Sequence, residues 1–221
     1  MLSRICCEAT TCAAQLTWWT KLLPSISSLQ ASGPSHKRSG QPVTLEDGRE
    51  LRNAFATFAT GVAIVTTCVG DEMIGATVSS FNSVSLVPPL VSFSIARTAR
   101  ALEAWNATDR FGVSILARAQ SELSSRFARS MADKWSGVEI REANVINVPL
   151  IGGALMWFEC EVYARYDGGD HIILLGRVLA ATRNSEAGTD PLLFHGGTYR
   201  HLAPPVGSET IPDNAMWPHG W

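Results

Sequence analysis

An acid and a histidine follow a two-glycine turn in the middle of the chain, in the segment "DGGDHIILLG" at 167–176. Asp170 and His171 lie between this turn and a run of aliphatic residues. The residues allow two interpretations. In the first, the pair takes part in the chemistry of a site. In the second, it belongs to an ordinary hairpin, in which the aspartate caps the turn and the histidine is partly exposed. A lone histidine is more often structural than a ligand, so we predict no metal site.

A second candidate segment is "GATVSSFNSVSLVPPLVSFSI" at 75–95, in which small polar residues crowd into positions 77–85. Such a segment offers hydroxyl and backbone N–H donors together on an extended chain. That surface can hold phosphate, ribityl hydroxyls or the edge of a flat polar ring. The alternative is a polar strand and loop whose serines and threonines satisfy their own backbone. Pro88 and Pro89 cannot donate to a strand ladder and are expected to end one strand.

The net charge and its distribution along the chain limit the classes of ligand that the protein could bind. The net charge is -2, which argues against nucleic-acid binding, because phosphate affinity needs concentrated lysine and arginine. Residues 97–134 nevertheless contain more cationic than acidic side chains, so this third of the chain could hold a small anionic ligand. A solvated helix face explains the same charges equally well.

The sequence lacks the motifs of several common binding and catalytic sites. No Gly-Lys-Ser/Thr phosphate loop, G-x-G-x-x-G, G-x-S-x-G or H-E-x-x-H pattern occurs. No apolar stretch approaches the length of a membrane span, so we predict no membrane insertion. The cysteines form no Cys-x-x-Cys pair, which favours a reducing compartment.

The elements that must position these residues form one domain between two tails. We predict a disordered or targeting-like extension at 1–43, a folded domain at 44–203 and an irregular tail at 204–221. The domain begins with an amphipathic helix containing Leu51, Phe55 and Phe58. Many short strands with turns follow, and "WFECEVYARY" at 157–166 alternates as a half-exposed strand. Without a repeated strand-helix-strand unit, this pattern predicts a mostly β fold with a few helices, a closed or partly closed barrel.

Six segments together resemble one family. They are "FATGVAIVTT" (58–67), the serine-rich segment (75–95), "LSSRFA" (123–128), "FECEV" (158–162), "GDHIILLGRV" (169–178) and "PLLFHGGTYRHL" (191–202). In this order they are similar to the short-chain flavin reductases with an FMN-binding split barrel, the reductase components of two-component flavin-dependent monooxygenases. The resemblance covers about residues 51–202, and the combination is specific although each segment alone is weak.

The resemblance implies a fold, cofactors and partners. The fold would be a six-stranded Greek-key split β-barrel, and the protein a homodimer that binds FMN or FAD and uses NADH or NADPH. Asp170 and His171 would orient the nicotinamide cofactor. The residues that would contact the flavin are Thr77, Ser79, Ser80, Phe81, Asn82, Ser83, Ser94, Ala99, Arg100, Arg126, Phe127 and Tyr199. Ala99 departs from the serine that many relatives carry, which leaves the preference between FMN and FAD open.

The expected function is therefore an NAD(P)H:flavin oxidoreductase that supplies reduced flavin, by transient contact or diffusion, to a separate monooxygenase. Two alternatives remain open. One is a flavin-binding module that lacks the nicotinamide site, and the other is a self-contained flavin oxidase. We expect a cytoplasmic protein, although organellar targeting by residues 1–40 stays possible on the sequence.

Overall fold

The structure, a computed structural model, describes residues 40–130 and 133–203. The expected extension at 1–43 falls outside this range except for 40–43, and the expected tail at 204–221 falls wholly outside it. Within the described residues no helix is both long and apolar enough to cross a membrane. The three α-helices are α1 (Gly48–Phe55), α2 (Leu102–Ala107) and α3 (Ser121–Ala128), and a 3-10 turn at Arg118–Gln120 leads into α3.

β-strands are the main regular structure of the described domain. In chain order, the strands are β1 (Thr60–Gly61), β2 (Ala63–Val69), β3 (Glu72–Val78), β4 (Asn82–Leu86), β5 (Pro89–Ala96), β6 (Arg110–Ile115), β7 (Ile140–Arg141), β8 (Leu150–Ile151), β9 (Met156–Gly168), β10 (His171–Arg183), β11 (Leu193–His195) and β12 (Thr198–Arg200). As expected from the two prolines, β4 ends at Leu86 and β5 begins at Pro89.

One antiparallel sheet dominates, with the strand order β3-β2-β6-β9-β10-β5-β4. It contains seven strands where the sequence predicted six, because the short, exposed β4 adds to the edge of β5. A three-stranded sheet, β1-β11-β12, and the pair β7-β8 complete the β-structure. The mostly β architecture with a few helices is confirmed.

The main sheet curves so that β3, at one edge, contacts β5, next to the other edge. The segment after β3 leaves one edge of the sheet and enters β4 at the other edge. At this crossing the backbone N–H of Ser94 in β5 donates to Oγ of Ser80, 3.0 Å away. A side-chain contact therefore connects the segment between β3 and β4 to β5, as expected of a barrel that is only partly closed.

Aromatic rings fill the interior of the curved sheet. Phe93 packs edge-to-face on Phe111 and on Trp105 of α2, with ring centroids 5.1 and 5.5 Å apart. Gly176 in β10 lies beside this cluster, and a Cβ there would stand 2.1 Å from the Phe111 ring. The glycine thus lets the sheet close around the ring. The helix α2 covers the core at Trp105, which is almost fully buried.

One sequence-based expectation for a side chain is wrong. The alternation in β9 placed Glu159 on the exposed face, but Glu159 is buried because the segment 144–146 covers it. Its carboxylate accepts backbone N–H groups from Asn144, Val145 and Ile146 at 2.8, 2.7 and 3.2 Å.

The helix α1 is present as the amphipathic pattern predicts, but it ends at Phe55 and so does not include Phe58. It begins after Asp47, whose side chain caps it, but none of its residues is buried in the single chain. Phe55 and, just beyond the helix, Phe58 are 70% and 75% exposed. The sequence predicted the helix and its apolar face correctly, but the face has no partner within the described chain.

Candidate functional site

A cleft of about 1030 Å³ opens beside β3. Its walls come from β3 with the two residues after it, from the end of β5 and the turn into α2, from α2 itself, and from the end of α3 with the segment after it. His171, the first residue of β10, also lines the cleft. The cleft therefore brings together the serine-rich segment and the Gly-Asp-His turn, which are about a hundred residues apart in sequence.

One wall of the cleft forms where α3 approaches β3 closely. Gly75 makes this possible, because a Cβ there would lie 2.5 Å from the ring of Phe127. Phe127 packs edge-to-face on Trp135 at 4.9 Å, and the Trp135 indole N–H donates to the Met73 carbonyl at 2.8 Å. These contacts fix both aromatic rings against the strand, so this wall is rigid and apolar.

The polar wall is formed by residues at the end of β3 and beyond it. Ser79 is exposed to the cleft, whereas the hydroxyl of Thr77 donates to the Ser124 carbonyl at 2.7 Å. Ser80 uses its oxygen to accept from the backbone of Ser94. Two of the predicted hydroxyl groups are thus already engaged with the protein, and a ligand would meet mainly backbone groups and the Ser79 side chain here.

Hydrogen bonds within the Gly-Asp-His turn and from Arg97 hold the turn in place. Oδ1 of Asp170 lies 2.7 Å from Nδ1 of His171, and this hydrogen bond holds the pKa of Asp170 below its ordinary value. An ionised carboxylate accepts the proton on Nδ1 and so leaves Nε2 as the other polar atom of the imidazole. The side chain of Asp170 itself is exposed and does not line the cleft, so it acts on His171.

Arg97, the first residue after β5, fixes the same turn. Its backbone N–H donates to the Asp170 carbonyl, its Nε donates to the Gly169 carbonyl, and its Nη2 pairs with Oδ2 of Asp167, each at 2.8 Å. Three contacts from one residue determine where the tip of the hairpin lies. Sequence reasoning did not select Arg97, although it was among the cations of the basic segment.

Some of the predicted site residues line the cleft and others do not. Those that line it are Thr77, Ser79, Ser80, Ser94, Ala99, Arg100, Phe127 and His171. Arg126 and Tyr199 line a second cavity of about 470 Å³ instead, together with Arg129, which borders both. The Tyr199 hydroxyl donates to Oγ of Ser124 at 2.8 Å.

Besides Asp170, three predicted residues border neither cavity. Phe81 packs on the core and stacks on Phe158 with centroids 5.8 Å apart. Asn82 and Ser83 are exposed in β4, and the Asn82 side chain donates to the Ser80 carbonyl at 3.1 Å. In the single chain the predicted ribityl wall therefore ends at Ser80. The reason is that neighbouring side chains along an extended segment point to opposite faces, so consecutive residues cannot all line one wall.

Lining residues that the sequence reasoning did not select include Thr98, Arg129, Lys134 and Trp135. Trp135 packs on Phe127 and also borders the cleft. The signal that could have found Lys134 is its position at the end of the basic segment 97–134 and beside an aromatic residue. Within the described residues, no group of three or more metal-ligating side chains occurs.

The cleft fits a flavin by size and by chemistry. Cofactor and ligand pockets commonly enclose roughly 300–1,000 Å³ and combine apolar walls with a few polar groups. Here Ile74, Ala76 and the Phe127 ring supply apolar surface for a flat ring system. Ser79 and the backbone beside it supply donors, and Arg100 and Lys134 supply cationic groups. These residues would hold the isoalloxazine ring, its hydroxylated chain and a phosphate.

Comparison with known proteins agrees with this geometry. The flavin reductase like domain family matches residues 55–203. A solved NADH:FAD oxidoreductase of Streptomyces globisporus, in complex with NAD and FAD fragments, superimposes with a TM-score of 0.71 at 36% identity. The match covers 76% of this chain and all of that one.

Two curated relatives are similar over most of their length. The FMN reductase (NADH) SmoA of Agrobacterium fabrum is 40% identical over 154 residues, 70% of this chain and 86% of the relative. The flavin-dependent monooxygenase reductase subunit HsaB of Mycobacterium tuberculosis is 34% identical over 158 residues, 72% of this chain and 84% of the relative. With its own cleft and these matches, the chain belongs to the flavin reductase like domain family.

Proposed function

We propose that this protein is an NAD(P)H-dependent flavin reductase that supplies reduced FMN or FAD to a separate monooxygenase. The observation that carries the proposal is the cleft itself, which joins the polar end of β3, the flat apolar wall at Phe127 and the imidazole of His171. The relatives support it, since those named above are an FMN reductase, an FAD oxidoreductase and the reductase subunit of a flavin-dependent monooxygenase.

The protein's own residues bind and orient. The bound flavin would accept a hydride at N5 from the nicotinamide C4, and this chemistry belongs to the two cofactors. His171 would position the nicotinamide cofactor, with Asp170 fixing the orientation of its ring and Arg97 fixing the turn. Because orientation is the contribution of these side chains, their loss should weaken binding more than it abolishes turnover.

The preferences between related cofactors are part of the proposal. The Agrobacterium fabrum reductase and the Streptomyces globisporus oxidoreductase are both named for NADH, so we propose NADH as the preferred reductant. Either flavin is compatible with a cleft of this volume, and Ala99 removes a hydroxyl that would otherwise face the phosphate end.

We further propose that the protein is a cytoplasmic homodimer. The exposed faces of Phe55 and Phe58 support association with a second copy, because large apolar side chains at this degree of exposure mark interaction surfaces when they cluster. The contact with the monooxygenase would be transient, since reduced flavin can diffuse between the two proteins.

An anaerobic titration tests the function directly. The full-length protein is mixed with FMN or FAD, then NADH or NADPH is added and bleaching of the flavin absorbance is followed. Fast bleaching that depends on the protein is the expected result, and the four combinations rank the cofactors. Binding without bleaching would identify a flavin-binding module. Turnover of an organic substrate without any nicotinamide would identify a flavin oxidase.

A further inference from the structure

Lys134 lies where the end of α3 meets the middle of β3. Its side chain is half-buried and borders the cleft. The ammonium donates to the Phe127 carbonyl at 3.1 Å and to the Gly75 carbonyl at 3.3 Å. Because Gly75 carries no side chain, the strand comes close enough to α3 for one ammonium to contact both carbonyl groups. An ammonium has three donors, so one N–H remains for a third partner.

The charge of Lys134 has no full counter-charge among the described residues. The ion pairs found there join Arg97 to Asp167, Arg110 and Arg177 to Glu161, and His171 to Asp170, so none includes Lys134 within 4.0 Å. The carboxyl end of α3 offers the equivalent of roughly half an elementary charge at most. Partial burial lowers the pKa of Lys134, as expected when an ammonium loses water without gaining an anion.

The other charged groups of the cleft leave an excess of positive charge. Glu72 and Glu103 are its carboxylates, whereas Arg100, Arg129 and Lys134 are its fixed cations. Buried charges in proteins are normally paired, so a half-buried ammonium without a carboxylate is an incomplete site unless a ligand brings the anion. Lysine is also the residue that contacts phosphate as a compact point charge.

We propose that Lys134 binds a phosphate group of the nucleotide that occupies the cleft. The inference rests on the proposed function, because it takes the ligand to be a flavin or nicotinamide nucleotide. The phosphate could belong to either one, and the chemistry of recognition is the same. Lys134 would hold the anion while its other two donors keep α3 and β3 together, so ligand binding would complete the charge balance of that wall.

Binding measurements on Lys134→Gln test the proposal without relying on turnover. Flavin fluorescence quenching gives the affinities for FMN and for riboflavin, which lacks the phosphate, and calorimetry gives those for NAD+ and nicotinamide riboside. Glutamine keeps an N–H donor for a carbonyl but removes the charge. Lys134→Arg, which keeps the charge, is the rescue variant, and Arg183→Gln, an exposed cation outside the cleft, is the matched control.

We expect Lys134→Gln to bind FMN about tenfold more weakly with the riboflavin affinity unchanged, the size of effect typical of a charge-assisted hydrogen bond. Lys134→Arg should recover most of the loss, and Arg183→Gln should show none. If FMN affinity is constant and NAD+ affinity falls instead, the phosphate is that of the nicotinamide cofactor. Equal losses for FMN and riboflavin, or no loss for any ligand, would overturn the proposal.

A wild-type measurement decides the matter even if Lys134→Gln fails to fold. The proposal requires FMN to bind more tightly than riboflavin, or NAD+ more tightly than nicotinamide riboside. Equal affinities within both pairs overturn it while leaving the flavin reductase function intact. A wild-type protein that binds none of these ligands contradicts both the proposed function and the role of Lys134.

Discussion

The close approach at Gly75 allows a quantitative prediction for Gly75→Ala. The added methyl group would stand 2.5 and 2.7 Å from two carbons of the Phe127 ring and 3.2 Å from Trp135. The shortest of these is about 1 Å inside an ordinary carbon contact of ~3.5 Å. Both rings are fixed by other contacts, so the strand and the helix must separate. Overpacking of this kind costs about 1–3 kcal/mol, and for a domain of this size about 2 kcal/mol lowers Tm by roughly 4–8 °C.

The same change should disturb the cleft, because Phe127, Trp135 and Lys134 all border it. We expect the FMN affinity to fall several-fold together with Tm, measured by fluorescence titration and thermal denaturation. Gly61→Ala is the matched control, since no atom lies within 4 Å of a Cβ at that position. The double variant Gly75→Ala/Phe127→Leu should recover at least 1 kcal/mol relative to the sum of the single changes, as about 0.5–3 kcal/mol is usual for contacting residues. An unchanged Tm for Gly75→Ala, or strict additivity in the double variant, would refute the reasoning.

Four further changes separate binding, orientation and stability. Arg97→Gln removes the ion pair with Asp167 and should raise KM for NADH about two- to fivefold with little change in kcat, measured in steady-state assays, because loss of one exposed contact weakens orientation only modestly. His171→Ala should raise KM for NADH about tenfold and leave the FMN affinity unchanged; a kcat that falls below a hundredth with KM constant would contradict a positioning role. Ala99→Ser should raise FMN affinity about two- to tenfold in a fluorescence titration, as one added hydrogen bond would, and an unchanged affinity would place the phosphate elsewhere. Glu159→Gln leaves at least one of the three backbone N–H groups at 144–146 with a weaker acceptor and should cost about 1–3 kcal/mol in denaturant unfolding, whereas FMN affinity should stay constant.

Patterns within short segments of the sequence were sufficient to predict the fold class. Alternation, glycine turns and the proline pair located the principal strands and predicted a barrel, because the period of two and the turn residues are properties of short segments. The number of strands in the sheet was less accessible. The strand β4 is five residues long and mostly exposed, and only its pairing with β5 makes it part of the sheet.

The candidate site was predicted in part, and the failures have physical causes. Successive residues of a helix point about 100° apart, so Arg126 and Phe127 in α3 reach different cavities although the motif joins them. The sequence showed Lys134 only as part of a basic segment. Its place in the cleft depends on two carbonyl groups that come together only in the folded chain. Glu159 was placed outside because no pattern within β9 reveals which loop covers it.

The register of β10 has a consequence for how this hairpin tolerates change in length. From His171 to Leu175 the strand pairs without interruption with β5 on one side and β9 on the other, and His171 stands opposite Ala96. Both register shifts against β9 occur beyond Leu175. A residue inserted beyond Leu175 can be taken up as a further bulge, whereas one inserted before it would turn the histidine to the opposite face of the sheet. Homologous chains should therefore vary in length at the far end of this hairpin and keep a constant spacing from the imidazole to the fifth residue of the strand.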